Sequence, residues 1–81
     1  LMIVDDCIYL LDYKTNRTPP ATLSPQHSYA QQMARYAALL REAYPGHAVK
    51  AALLWTETGR VTWLSPELLS RALEEARKEM A

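Results

Sequence analysis

One cysteine, two glycines and no net charge are the scarcities that bound this 81-residue sequence. Cys7, being alone, rules out an internal disulfide and a multi-cysteine metal site; it reads as a small apolar strand residue. Gly46 and Gly59 stand far apart, so there is no glycine-rich loop to cradle a phosphate. No apolar run approaches the roughly 18 residues of a membrane span, and no signal-peptide pattern is present. A reducing, cytoplasmic setting with no membrane partner is therefore expected. Nine basic residues face nine acidic ones. The basic excess typical of a free-standing nucleic-acid binder is missing, which argues neither for nor against a DNA substrate. His27 and His47 have no cysteine or histidine partner at zinc spacing and are expected to be solvated. No serine sits in a nucleophile-elbow context.

What is present centres on Tyr9-Leu10-Leu11-Asp12-Tyr13-Lys14-Thr15. Side chains alternate across a strand, so Asp12 and Lys14 leave the same side of a sheet, along with Ile8 and Leu10. Cys7, Tyr9, Leu11 and Tyr13 take the other side. A carboxylate and an ammonium emerging together where the apolar pattern stops are poor material for a core. They suit a hard metal ion and a positive charge held beside a phosphate. Asp-x-Lys alone is a weak motif, because many such pairs are surface ion pairs. Its place at a strand end, before a helix, strengthens it.

The rest of the chain supplies a frame for that strand. Leu1-Met2-Ile3-Val4 and Cys7 to Tyr13 flank Asp5-Asp6, which predicts a hairpin with the two aspartates at its turn. Thr15 to Ser24, with Thr18-Pro19-Pro20, reads as a loop. Ser24-Pro25 predicts a helix opening, with Ser24 as N-cap, and Pro45-Gly46 ends the helix after Tyr44. Its stripe is Tyr29, Met33, Tyr36, Leu40 and Tyr44, with Ala37 and Ala43 beside them. By the 100° rotation per residue, Gln32 falls on that stripe and Gln31 opposite, with Arg35, Ala38 and Glu42. Gln32 is then either a core-edge glutamine bonded to a loop carbonyl or a polar group held over a site. Val49 to Thr56 is apolar on both parities, which predicts a central strand covered on both faces. Glu57 to Arg60 is a turn and Val61 to Leu64 a return strand, with Trp55 and Trp63 packed beside it. Ser65-Pro66 opens a second helix whose inner face is Leu68, Leu69, Ala72, Leu73, Ala76 and Met80. Glu74, Glu75, Arg77, Lys78 and Glu79 form its solvated side. The order is β-β-α-β-β-α, an α/β fold with helices on a mixed β-sheet.

Three stretches carry a resemblance. Leu10-Leu11-Asp12-Tyr13-Lys14-Thr15-Asn16-Arg17, then Tyr29-Ala30-Gln31-Gln32-Met33-Ala34-Arg35-Tyr36, then Ala51-Ala52-Leu53-Leu54-Trp55-Thr56 together resemble the RecB-type nuclease domain of AddA and RecB helicase–nucleases, nearer to AddA. That family belongs to the PD-(D/E)xK superfamily, and the likeness spans roughly residues 1 to 65. The resemblance implies a restriction-endonuclease-like core and a magnesium-dependent DNA exonuclease. Asp12 would be a metal-binding acid, Lys14 the catalytic lysine, and Gln32 and Tyr36 the helix pair beside the site. Tyr13 would be the aromatic residue between acid and lysine, facing away from the metal. It further implies ATP on a helicase part elsewhere, DNA as substrate, and a second helicase–nuclease subunit of AddB type as partner. An earlier acid and an N-terminal helix of the family would fall before Leu1, so residues 1–81 are expected to be a partial nuclease domain, the C-terminal part of a larger chain. The rival expectations are a nuclease-fold module kept for scaffolding or partner binding, and a small α/β binding domain in which Asp12–Lys14 is a surface ion pair.

Overall fold

Asp5 and Asp6 turn the chain as expected. In the computed structural model, which describes residues 1–15 and 23–80, strand β1 (Met2–Val4) pairs antiparallel with β2 (Cys7–Lys14). Val4 stands opposite Cys7, and Asp5 takes the left-handed conformation with φ 53°. Aspartate is among the few non-glycine residues that tolerate that region, because its short polar side chain can bond locally. Most of the loop expected after Thr15, residues 16–22, lies outside the described residues.

Helix α1 (Ser28–Ala43) returns the chain to β3 (Ala48–Trp55), which pairs parallel with β2 from Cys7–Ala48 to Lys14–Trp55. A tight turn then leads into β4 (Arg60–Leu64), antiparallel to β3. Gly59, at φ +71°, donates its N–H to the Trp55 carbonyl at 2.8 Å, a turn that a side chain at this position would strain. Helix α2 (Pro66–Met80) closes the order β-β-α-β-β-α, on a mixed sheet in the order β1-β2-β3-β4. Among the described residues no helix is long and apolar enough to cross a membrane.

The two Ser-Pro sequences behave differently. At Ser65-Pro66 the serine caps as expected, its Oγ accepting from the Leu68 N–H at 3.1 Å and its carbonyl from Leu69 at 3.0 Å. At Ser24-Pro25 the chain makes only one turn, with the His27 N–H bonded to the Ser24 carbonyl at 3.0 Å. His27 is then extended (φ −67°, ψ 136°), and its Nδ1 accepts from the Tyr29 N–H at 3.1 Å. The helix therefore starts at Ser28, and its N-cap is His27 rather than Ser24. An imidazole acceptor can serve the first orphan N–H groups as a serine hydroxyl would.

The core lies on one face of the sheet. Ile8, Val49, Ala51, Leu53, Trp55 and Leu64 meet Ala30, Met33, Ala34 and Ala37 of α1 and Leu69 and Ala72 of α2. Burial of each large member contributes about 1.5–3 kcal/mol. Both helices cover this face, so the expectation of a strand covered on both sides is corrected. β3 is still buried on both parities because Ala52, at the centre of the other face, is small and sits between its ladder partners Leu11 and Trp63. That other face carries Met2, Val4, Tyr13, Val61 and Trp63, all about half exposed, and the 17 Å smallest extent of the molecule fits one helix layer on one sheet. Trp55 packs as expected; Trp63, 58% exposed, does not.

The phase of α1 also differs from expectation. Met33 and Ala37 are buried as expected, but the buried arc is completed by Ala30 and Ala34 rather than by the tyrosines. The helix packs against α2 as well as the sheet, so the arc widens to take in Gln31, which is only 5% exposed. Its amide donates to the Pro25 carbonyl at 3.5 Å and to Glu79 Oε1 at 3.3 Å. Gln31 is therefore turned inward, contrary to the single-stripe reading. Tyr36, expected to face inward, lies at the rim and is 47% exposed. Both histidines are half-buried rather than solvated: His27 as the cap, and His47 edge-on to Tyr44 with ring centroids 5.8 Å apart.

Candidate functional site

Asp12 and Lys14 end β2 on the helix side of the sheet, next to the last residues of the parallel strand β3, with Lys14 opposite Trp55. Clefts at the carboxyl ends of parallel strands are where open α/β sheets bind ligands. The strand end is pinned: the Lys14 carbonyl accepts from the Thr56 N–H at 3.0 Å and from its hydroxyl at 3.3 Å. Lys14 Nζ lies 2.9 Å from Asp12 Oδ2, a charge-assisted contact. The lysine side chain is 17% exposed and the aspartate 35%. The Lys14 side chain is thus largely covered and its ammonium meets a partly open carboxylate. The two groups lie on one side of the sheet and touch, as the alternation of the strand predicts.

The helix residue that meets this pair is Tyr29. Its ring centroid is 4.1 Å from Lys14 Nζ. The ring itself stands between His27, at 4.8 Å, and the buried Trp55, at 6.1 Å. Trp55 in turn donates its Nε1–H to Thr62 Oγ1 at 2.8 Å, which fixes the indole under the site. Tyr29 had been legible as a member of the apolar stripe but not as a site residue. The available signal was topological: a helix that returns along the strand it follows puts its first inward aromatic over the strand's last inward side chain.

The other two expected residues follow from the same antiparallel run. Gln32 is partly buried and lies about one turn after Tyr29 on α1. No hydrogen bond joins it to Asp12 or Lys14 among the described residues. Tyr36, about 10 Å beyond Tyr29 along the axis, lines an apolar groove with Leu1, Leu10, Leu39 and Leu40. Tyr13 projects from the opposite face of the sheet, away from the pair, as expected from its parity.

Asp12 offers the hard oxygen donor that magnesium prefers, but a carboxylate-poor shell does not hold that ion. Among the described residues no group of three or more His, Cys, Asp or Glu is placed to bind a metal. Asp12 is suited to be one ligand of a set, and the described residues do not complete it. Electrostatically, the site offers one ammonium, one carboxylate and an aromatic face, at a strand end open to solvent. Such a group of side chains can bind an anion through Lys14 and a cation through the outer oxygen of Asp12. Against protein-family models, curated proteins and solved structures alike, the chain finds no match.

Proposed function

We propose that this chain is part of the nuclease domain of a RecB-type helicase–nuclease, a magnesium-dependent DNA exonuclease that processes double-strand breaks in the cytoplasm. On this reading the restriction-endonuclease-like core is completed by an N-terminal helix, ATP is used by a helicase part elsewhere, and an AddB-like subunit is the partner. The observation that carries the proposal is the pairing of Asp12 with Lys14 at 2.9 Å on the helix side of β2, at the carboxyl end of two parallel strands. The half-exposed apolar residues on the other side of the sheet support it too, since a further layer of structure packs on such a face.

Phosphodiester hydrolysis needs negative charge stabilised on the phosphate and water oriented for attack. Lys14 would direct its ammonium at a phosphate oxygen and help orient the attacking water. Asp12 would supply one oxygen ligand to magnesium, whose bound state would polarise the phosphate, with the remaining acids coming from outside the described residues. Gln32, about one turn after Tyr29 on α1, would hydrogen-bond water or substrate, and Tyr36 would line the approach along α1.

The test is made in the full-length protein. Asp12→Ala and Lys14→Ala should each abolish DNA digestion while ATP-driven unwinding continues; magnesium-dependent digestion that persists in either variant removes the assignment. A second reading, a nuclease-fold module kept for scaffolding or partner binding, is favoured by one observation: Asp12 already has Lys14 as partner, and no metal-binding group of three stands near it among the described residues. Full-length wild-type protein that unwinds DNA but digests none, with either variant behaving like wild type, would select that reading.

A further inference from the structure

Two partners hold the Lys14 ammonium. Asp12 Oδ2 lies 2.9 Å from it and the centroid of the Tyr29 ring 4.1 Å. The second distance is well inside the roughly 6 Å over which a ring face attracts a cation. The two partners differ in kind. A carboxylate that turns to a metal or to water takes its hydrogen bond with it, and a flexible four-carbon side chain held by that bond alone would follow. An aromatic face makes no demand on the N–H groups, so it can hold the charge in place while those donors serve another acceptor.

The ring that does this is itself held. Its own backbone N–H is bonded to the cap, His27 Nδ1, at 3.1 Å. The His27 ring lies 4.8 Å away on one side and the buried Trp55, 6.1 Å away, on another. Tyr29 is half-buried and stands in the first turn of α1, where the helix begins its return along β2. Its position is therefore set by the helix start and by the core together.

We infer that Tyr29 is a positioning residue for Lys14: its ring face keeps the ammonium at the mouth of the strand end when Asp12 engages another ligand. The inference rests on the nuclease reading for its consequence in catalysis, though not for the contact itself. The ring acts and the hydroxyl does not, so phenylalanine should replace tyrosine here.

The experiment has two arms, both in the intact protein. In the first, lysine is labelled with carbon-13 and the Lys14 resonance is assigned from its loss in Lys14→Arg. The Lys14 methylene protons next to Nζ should be shifted upfield by the ring current, the shift surviving in Tyr29→Phe and vanishing in Tyr29→Leu. Should Tyr29→Leu not fold, Tyr29→Met keeps the bulk without a ring and takes its place. In the second arm, DNA cleavage by Tyr29→Leu should show kcat reduced about three- to tenfold with KM nearly unchanged, as loss of a single cation–π contact at the reacting group implies. Tyr29→Phe should keep the wild-type kcat. A Lys14 signal identical in wild type and Tyr29→Leu overturns the inference, as does a phenylalanine variant as slow as the leucine one. A ring-current pattern that follows the expected order in a protein that digests no DNA upholds the contact and removes the nuclease reading instead.

Discussion

The Asp12–Lys14 pair should be inexpensive to break, and a double-mutant cycle measures how inexpensive. The variants are Asp12→Asn, Lys14→Met and the two together, each close in size to the original. At 2.9 Å the bare attraction would be large in a dry interior. The aspartate side chain is 35% exposed, however, so water screens the pair and already solvates much of the carboxylate. Exposed pairs couple by about 0.2–1 kcal/mol, whereas removing one partner of a buried pair costs about 3–5 kcal/mol. Geometry places this pair near the first range, at about 1 kcal/mol or a little less. In a domain of this size, 1 kcal/mol corresponds to about 4–8 °C in Tm. Urea unfolding of the four proteins gives the coupling energy, and repeating it at 1 M salt, where the screening length is about 3 Å, should shrink it further. A coupling of about 3 kcal/mol or more that salt leaves alone would refute the reasoning. The two charges would then be part of the frame of the fold, and their availability for chemistry would be lost.

Three other expectations concern the helix that carries Tyr29. Gln31→Ala should destabilise the protein by about 1–2 kcal/mol, because it strips a buried amide from Pro25 and Glu79, while Gln32→Ala should cost less than about 0.5 kcal/mol; equal costs in urea melts would mean that the helix phase is wrong. Removing the cap with His27→Ala should cost about 0.5–2 kcal/mol, and His27→Asp should recover most of it. If alanine and aspartate unfold at the same urea concentration, the cap is not what His27 provides. At the other end, Gly46 has φ +87° and open space around a would-be Cβ, so Gly46→Ala should lose about 1 kcal/mol to backbone strain alone. Thermal melts showing no loss would place the residue outside the left-handed region.

Much of the frame was legible because local signals and periodicity agreed. Asp5-Asp6 between two apolar runs, the two-parity pattern of β3 and the Ser65-Pro66 cap all point to the elements that form. The alternation of β2 was enough to put Asp12 and Lys14 on one side of the sheet, where they touch. What escaped depended on tertiary partners. A stripe defined by large residues put the centre of α1 on its tyrosines. The presence of α2 moved it onto alanines, which have no bulk to signal burial, and carried Gln31 inside. Ser24-Pro25 has the same letters as Ser65-Pro66, yet His27 three residues after the serine offers a competing acceptor and delays the helix. Hydrophobic pattern in β3 likewise announces burial without saying by what; Ala52 is hidden by its strand neighbours rather than by a helix.

The contrast between the two tryptophans has a practical use. Trp55 is 1% exposed and bonded to Thr62, whereas Trp63 is 58% exposed on the helix-free side of the sheet. Iodide should quench the second indole and spare the first, giving two separable fluorescence signals from a chain with no added dye. Whatever comes to lie on that side, whether another stretch of polypeptide or a different subunit, would announce its arrival by a blue-shifted, quencher-resistant emission from Trp63, while Trp55 keeps watch on the integrity of the interior.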